Sequence, residues 1–320
     1  MKIFQTFDAG TRFPNPVLTI GNYDGVHIGH RRIIKKVVDK AREIKGTPML
    51  MSFYPHPHAV LKPDSYIRLI TPPHIKERLV AETGIEVMFE IPFDEDVRSI
   101  PPESFVEDIL LGKIGVAGVI VGYDFRFGKG GAGDDKLLME YAHKKGFYFD
   151  VVGAITLDDE KIGSNRIRKL IMDGDVKKAN ELLGRPHMIE GTVIHGVNRG
   201  KSMGFPTINF ETVFELIPGN GVYITEVEFD GRKWPSVTNI GYNPTFDGKK
   251  LMVETHILDF DRDLYDREIV ISFHERVRAE QKFKDMSELM AQIARDVETA
   301  RTYFKGRLTA NGKDPSAKTF

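Results

Sequence analysis

The sequence predicts an α/β protein in two parts: a parallel sheet flanked by helices, followed by a small antiparallel β-barrel with a closing helix. In the first half, short apolar runs alternate with helical patterns, which is typical of right-handed βαβ units. Between Gly191 and His274, strand-like runs are separated by turn signals such as Asp230-Gly231, which favours meandering antiparallel strands. With 320 residues, the chain is long enough to give each part its own core.

The elements of the first half are predicted from apolar runs and helical periodicity. The first apolar run, residues 17–20, is followed by apolar residues at the spacing of one face of a helix, with Arg and Lys between them. A further helix is predicted over residues 103–111. The predicted strands lie at residues 17–20, 48–53, 86–91, 116–121 and 150–153, and the helical apolar positions are Ile33, Ile34, Val37, Val38, Ala41 and Ile44.

In the second half, apolar residues at helical spacing between Leu289 and Ala300 predict the closing helix. We expect a domain boundary near residue 184, with domains over residues 1–184 and 185–306. The small and polar residues from 307 to 320 predict a disordered tail. The barrel strands are predicted at residues 191–195, 222–229, 253–258 and 268–273.

Charge and cysteine content exclude several classes of function. The 45 basic and 46 acidic side chains give a net charge of −1, so no general attraction to nucleic acid or to an anionic membrane is expected. The chain contains no cysteine, which excludes disulfides, thiolate zinc sites and cysteine nucleophiles. The N-terminal residues lack the apolar core of a signal peptide, and no apolar run reaches transmembrane length. We expect a cytoplasmic protein without nucleic-acid or membrane partners, and the sequence leaves its oligomeric state open.

A glycine-rich turn after the first strand is the most informative segment of the chain. From Thr19 to His30, a buried strand, a tight turn and a helix N-terminus follow one another, an arrangement that binds phosphate through backbone N–H groups and the helix dipole. Gly29 permits close backbone approach, and His27 and His30 are placed to donate hydrogen bonds to the anion. This pattern indicates nucleotidyl transfer, in which charge builds up around the α-phosphorus as pyrophosphate leaves. The alternative is that the two histidines only cap the helix.

Four segments of the first half resemble a known family. Residues 21–30 resemble the adenylyltransferase motif of bacterial bifunctional FAD synthetases, in which a riboflavin kinase is joined to an FMN adenylyltransferase. The segment at residues 162–168 departs from the family pattern, because Gly163 stands in place of its first serine and Asn165 in place of its threonine. Two hydroxyls are therefore missing, so phosphate binding would rest more on backbone N–H groups and on Arg168. The other three segments follow in family order at residues 53–57, 122–128 and 162–168.

The resemblance implies a Rossmann-like nucleotidyltransferase domain with a defined set of site residues. His27 and His30 are implied to stabilise the α-phosphate in the transition state, and Asn22 to help place the nucleotide. Ser164 and Arg168 are implied to hold phosphates, although Ser164 is equally placed to be a plain N-cap of the following helix. The remaining binding residues predicted for this domain are Gly21, Asp24, Gly29, Asp124 and His56, the last with a plain loop residue as its alternative.

A second site is predicted in the barrel, where residues 196–209 resemble the flavokinase signature. Period-two alternation places Thr207 and Asn209 on one face of a strand. A hydroxyl and an amide oxygen there can hold Mg²⁺ between phosphates, since Mg²⁺ prefers oxygen ligands. Arg199 and Lys201 add positive charge beside a glycine turn; taken alone, they would be solvated charges on an ordinary β-turn.

Two further barrel segments also resemble the family. Residues 253–259 resemble the strand that carries its catalytic glutamate, which implies that Glu254 is the base acting on the flavin 5′-hydroxyl. The alternative for Glu254 is an outward-facing side chain on a strand. Residues 239–246 resemble a segment that shapes the site and imply a binding role for Asn243.

The resemblance spans nearly the whole chain and implies a bifunctional flavokinase-like and nucleotidyltransferase enzyme. Such an enzyme phosphorylates riboflavin to FMN with ATP and Mg²⁺, then transfers AMP from a second ATP to FMN, giving FAD and pyrophosphate. Two alternatives remain open. The histidine turn alone would permit a nucleotidyltransferase for another phosphate ester, and a flavin-binding regulatory protein without turnover would retain the binding residues.

Overall fold

The computed structural model describes residues 1–62, 64, 66–195, 204–245 and 248–311, of which 243–245, 248–250 and 308–311 are described by backbone alone. The chain divides into two compact units, Met1–Arg166 and Ile167–Phe320. These units are defined by packing and not by independent folding, so the predicted domain boundary at residue 184 stays a prediction. The predicted tail from residue 307 also stays one, because the last helix runs to Asn311 and later residues lie outside the described part.

The first unit is built on a six-stranded parallel sheet, which confirms the predicted architecture. Its strands are β1 (Lys2–Phe4), β2 (Val17–Ile20), β3 (Pro48–Tyr54), β4 (Val87–Pro92), β5 (Gly118–Gly122) and β6 (Tyr148–Val152). Their order in the sheet is β1-β4-β3-β2-β5-β6. All four residues of β2 are buried, as expected for a strand covered on both faces. The edge strand β1 is not predicted, because three residues are too few to show a period.

The position of β2 fixes where a ligand can bind. The chain leaves β2 toward its neighbour β3 on one side, whereas β5 pairs with β2 from the other side. The order of strands therefore reverses at β2. In open α/β sheets, ligands usually bind at such a point, in the crevice beyond the carboxyl ends of the strands. The glycine-rich turn that follows Ile20 lies at this end of the sheet.

Helices cover both faces of this sheet. A single helix is predicted over residues 103–111, but the structure has a short α-helix that passes into a π-helix, Phe105–Ile114, ended by Gly115 at φ +70°. A two-stranded hairpin, β7 (Thr156–Leu157) and β8 (Glu160–Lys161), follows β6. The α-helices are α1 (Ile28–Glu43), α2 (Pro57–Leu61), α3 (Pro73–Ala81), α4 (Glu95–Arg98), α5 (Pro102–Ser104), α6 (Asp135–Lys145) and α7 (Ser164–Asp173), whose last residues belong to the second unit.

The second unit is a closed antiparallel barrel with the strand order β10-β13-β12-β11-β14-β9, and this confirms the predicted barrel and its closing helix. Its strands are β9 (His187–Ile194), β10 (Ile208–Glu211), β11 (Gly221–Phe229), β12 (Arg232–Thr245), β13 (Gly248–Ile257) and β14 (Glu268–Arg278), and its helices are α8 (Val176–Leu183) and α9 (Met286–Asn311). The strand β10 begins at Ile208, so Thr207 lies just before it.

Hydroxyl groups inside the barrel connect three of its strands. Thr225 Oγ1 lies 2.8 Å from the hydroxyls of both Ser236 and Thr238, and Thr238 Oγ1 lies 2.9 Å from Thr255 Oγ1. All four side chains have no exposed surface. Because each buried hydroxyl needs a partner, this row of four hydroxyls stabilises the observed register of β11, β12 and β13. A shift of one strand by one residue would break it.

The helix α8 is fastened to the barrel by polar bonds as well as by packing. Asn180 Nδ2 donates to the backbone oxygen of Phe273 at 2.8 Å, and Asn180 Oδ1 accepts from the backbone N–H of His187 at 2.7 Å. Leu182 and Leu183 on the same helix are fully buried.

In the described ranges, none of the helices combines the length and the apolar composition needed to cross a membrane.

Candidate active sites

The turn between β2 and α1 has an unusual backbone. Tyr23, Gly25 and Val26 have φ values of +52°, +89° and +40°. A positive φ is rare for a β-branched residue such as Val26 and stores strain that the surroundings must hold. Tyr23 and Val26 are both buried, so packing of their side chains fixes the turn that leads into α1.

Two stacked histidines begin α1. His27 is the N-cap, and its Nδ1 accepts a hydrogen bond from the backbone N–H of His30 at 3.2 Å. The two imidazole rings are stacked with centroids 3.6 Å apart. A Cβ at Gly29 would lie 3.0 Å from the His27 ring, so a side chain there would collide with it. The capping alternative and the phosphate-binding prediction are therefore compatible for His27.

His30 is held neutral by its surroundings. Burial lowers the pKa of His30 well below its ordinary value, and the neighbouring His27 lowers it further. Its Nδ1 is buried and has no hydrogen-bond partner among the residues that the structure describes. An unpartnered buried polar atom is costly, so this atom suits a ligand oxygen. The first turn of α1, described in full, has no acidic side chain that would repel an anion.

Asp24 fixes the turn to the loop that precedes α3. Its carboxylate accepts hydrogen bonds from the backbone N–H of Ile70 at 3.2 Å and of Thr71 at 3.0 Å. The Thr71 hydroxyl accepts in turn from the backbone N–H of Gly25 at 2.9 Å. The carboxylate of Asp24 thus shapes the turn, and its predicted contact with a ligand stays a prediction.

The remaining residues predicted for the transferase domain lie on three elements. Ser164 is the first residue of α7, and its hydroxyl donates to the backbone oxygen of Asp24 at 2.9 Å. Arg168 follows one helical turn later and is 8% exposed. Asp124 is exposed just beyond β5, and Gly21 lies where its backbone N–H donates to Met51 O at 3.0 Å.

A pocket opens beside the turn. His56 lines it and is the N-cap of α2, where its Nδ1 accepts from the backbone N–H of His58 at 3.1 Å. Sequence reasoning missed Lys76, a buried lysine that also lines the pocket; its one signal was a charge among the apolar positions of an amphipathic helix. The full lining is Asn22, Asp24, Phe53, Tyr54, His56, Leu69, Thr71, Pro73 and Lys76.

In the barrel, strand register brings the predicted catalytic residues together. Asn209 on β10 lies directly opposite Glu254 on β13, and Glu254 lies opposite Asn239 on β12. Asn209 is 5% exposed, and its Oδ1 has no hydrogen-bond partner in the described ranges. A buried carbonyl oxygen of this kind suits a hard cation such as Mg²⁺. Thr207, just before β10, is half-buried.

Some predicted residues of this site cannot be placed. Arg199 and Lys201 lie outside the described residues, and the side chain of Asn243 on β12 is likewise outside them. Among the side chains that are described, no group of three or more His, Asp or Glu residues is arranged to hold a metal ion. Thr207 and Asn209, the two residues predicted to hold magnesium, offer neutral oxygen atoms.

Known proteins match each unit separately and the chain as a whole. A profile described as FAD synthetase matches residues 11–166, and one described as riboflavin kinase matches residues 183–304. Bifunctional riboflavin kinase/FMN adenylyltransferases of Bacillus subtilis and Escherichia coli K12 are each 37% identical to the chain, covering 90% of it and 92% of their own length. A solved structure titled as a macrolide-efflux protein from Streptococcus pneumoniae superposes with a TM-score of 0.86 at 28% identity, covering 93% of this chain and 98% of that one.

Proposed function

We propose how two units divide the chemistry in a chain that belongs to the family of bifunctional riboflavin kinases/FMN adenylyltransferases. The chain is a transferase with two activities: it phosphorylates riboflavin to FMN with ATP, and it adenylylates FMN with a second ATP to give FAD and pyrophosphate. One observation carries the division of labour. Each unit holds a buried polar atom without a hydrogen-bond partner among the described residues, His30 Nδ1 in the first unit and Asn209 Oδ1 in the second.

Adenylylation belongs to the first unit. An oxygen of the FMN phosphate attacks the α-phosphorus of ATP, and pyrophosphate leaves. The N–H groups at the start of α1 and the rings of His27 and His30 donate to the α-phosphate oxygens as charge accumulates on them. Their support is geometric: the two rings are stacked, His27 is buried and His30 half-buried, and the turn already holds both, so little reorganisation is needed at the moment of reaction.

The other residues predicted for adenylylation would bind rather than react. Asn22 lines the pocket and would help place the nucleotide. Ser164 and Arg168 would hold phosphates from α7, with backbone N–H groups in place of the hydroxyl that Asn165 lacks. Further contacts are proposed for Gly21, Asp24, Gly29, His56 and Asp124.

Riboflavin phosphorylation belongs to the barrel. The 5′-hydroxyl of riboflavin attacks the γ-phosphorus of ATP, ADP leaves, and the proton of the hydroxyl passes to Glu254. The register that places Glu254 between Asn209 and Asn239 supports this, because polar side chains of three strands then face one substrate. Arg199, Lys201 and Asn243 are proposed to bind phosphates or flavin at the same site.

Thr207 and Asn209 would hold magnesium in the barrel. The donor set fits, since Asn209 offers a buried oxygen without a partner and Thr207 a hydroxyl beside the same strand. Magnesium, when bound, neutralises charge on the ATP phosphates. The side chains themselves orient the nucleotide so that its γ-phosphate faces Glu254. A cytoplasmic location stays a prediction.

The test of this function is a time course. The purified protein is incubated with riboflavin, ATP and Mg²⁺, and the flavins are separated by chromatography. FMN should rise first and FAD later. FMN without FAD would locate a disabled or redirected transferase at the altered segment around Gly163 and Asn165, and bound riboflavin without conversion would favour the binding-protein alternative. Offering other phosphate esters and nucleotides tests the remaining alternative.

A further inference from the structure

A buried cluster of charged side chains lies beside the histidine turn and takes no part in the chemistry described so far. Lys76 on α3 is 5% exposed, and its ammonium lies 2.9 Å from Glu90 Oε1 on β4. The same ammonium donates to Ser52 Oγ on β3 at 2.8 Å. Ser52 and Glu90 are register partners in neighbouring strands. Taking an ammonium and a carboxylate out of water is costly, so the pair calls for a reason.

The cluster holds the ammonium close to the turn. Ser52 Oγ donates to the backbone oxygen of Asn22 at 3.1 Å, and Asn22 and Lys76 line the same pocket. An ammonium has three N–H donors. Within the described part of the chain, Ser52 and Glu90 are the partners of the Lys76 ammonium, which leaves one donor for a ligand in the pocket.

A neighbouring acid interacts with this cluster. Burial raises the pKa of Glu77, and the charge of Glu90 and a hydrogen bond between the two carboxyl groups raise it further. The Lys76 ammonium itself is held by Glu90 and Ser52 and lines the pocket, where its charge can attract an anion.

We propose that Lys76 binds the acceptor in the transferase site: its third N–H donates to a phosphate oxygen of FMN, while Glu90 and Ser52 hold it in place. This inference rests on the proposed assignment of adenylylation to the first unit. Two phosphorylated substrates must approach each other there, and a cation on the acceptor side offsets their repulsion. A charged phosphate oxygen also accepts a hydrogen bond from a buried ammonium more strongly than a neutral carbonyl of the flavin ring does.

The test is steady-state FAD formation from supplied FMN and ATP. Lys76→Met keeps the aliphatic stem and removes the charge. It should raise KM for FMN about tenfold to a hundredfold, the effect of one charge-assisted hydrogen bond, with kcat and KM for ATP near their wild-type values. Lys76→Arg should recover part of the loss. Lumiflavin, which has the ring but no phosphate, should inhibit both proteins equally.

Two controls separate binding from folding. Lys36 pairs with Asp150 at 2.6 Å on another part of the same unit, so Lys36→Met makes the same change away from the pocket and should leave KM for FMN unaltered. Because Lys76→Met strands the Glu90 carboxylate, the double change Lys76→Met with Glu90→Gln removes both charges and restores stability. The double variant should keep the raised KM.

Three results would overturn the proposal. The first is a KM for FMN that returns to the wild-type value in the double variant, which would mean that Lys76 only neutralises Glu90. The second is lumiflavin inhibition that weakens in Lys76→Met as FMN binding does, which would place the contact on the flavin ring. The third is a KM that rises for ATP and not for FMN, which would place Lys76 against the ATP. Wild-type protein that makes no FAD from FMN would instead refute the proposed function, before any variant is compared.

Discussion

The two active sites are built in opposite ways. In the first unit, ten consecutive residues from Gly21 to His30 form the turn, its cap and the stacked histidines, so the proposed centre of this site is local in sequence. In the barrel, Asn209 and Glu254 are 45 positions apart and meet only because β10 pairs with β13 in one register. A local site depends on backbone conformation, whereas a register-built site depends on correct closure of the barrel. Substitutions at the two sites should therefore fail differently.

The largest expected effect separates the two chemistries. Glu254→Gln removes the proposed base and keeps the shape of the side chain, so FMN formation should fall by about 10²- to 10⁴-fold. FAD formation from supplied FMN should persist, because the transferase site lies on other residues. Chromatography of flavins after incubation with riboflavin, or with FMN, measures both activities. Loss of both activities in a protein that is still folded would mean that the two-site division is wrong.

The reverse experiment probes the local site. His27→Ala removes a proposed donor to the α-phosphate, so FAD formation should fall by about 10²- to 10³-fold while FMN formation continues. His27 also caps α1, so His27→Asn provides a matched variant that keeps a capping acceptor. If the asparagine restores FAD formation in full, capping and not phosphate contact explains the effect.

Acid should destabilise both units, because each contains a histidine that burial keeps neutral: His30 in the first unit and His187 in the barrel. His187 is not part of the proposed kinase site. Burial first, and the charge of Arg185 second, lower the pKa of His187 to about 3. In the unfolded chain this pKa is near 6.5, so the unfolded state binds a proton that the folded state refuses. Stability from this group is complete above pH 6.5 and should be lost at about 1 kcal/mol per pH unit as the pH falls toward 3.

Denaturant titrations at pH 7, 6 and 5 measure this slope. His187→Gln keeps a donor for the backbone oxygen of Leu216, which His187 Nε2 contacts at 3.2 Å, and removes the titration. Its unfolding free energy should depend less on pH than that of the wild type. Equal slopes would show that other groups control the acid response, among them His30, whose pKa is shifted in the same direction.

The contrast between the sites also decides what the sequence could predict. The strand, turn and helix around His27 are visible because strand and helix periods change within a few residues. The barrel was predictable as a class, but the juxtaposition of Asn209, Glu254 and Asn239 requires a register that no single strand specifies. The role inferred for Lys76 was not predictable for another reason: its one signal, a charge among the apolar positions of α3, does not distinguish a buried lysine that binds a ligand from one that serves only the fold.

The smallest expected effect concerns the register itself. Thr238→Val keeps the volume but removes one hydroxyl of the buried row. Thr225 keeps Ser236 as a partner, whereas Thr255 loses the hydroxyl it contacts, at a cost of about 1–3 kcal/mol. Thr238 pairs with Thr255, one position from the pair of Asn239 and Glu254. A barrel with a looser register should therefore lose some kinase activity and little FAD formation from supplied FMN. A variant that loses stability while both activities stay unchanged would show that backbone pairing alone holds the register around Glu254. The local site and the register-built site would then be equally tolerant of substitutions in the surrounding structure.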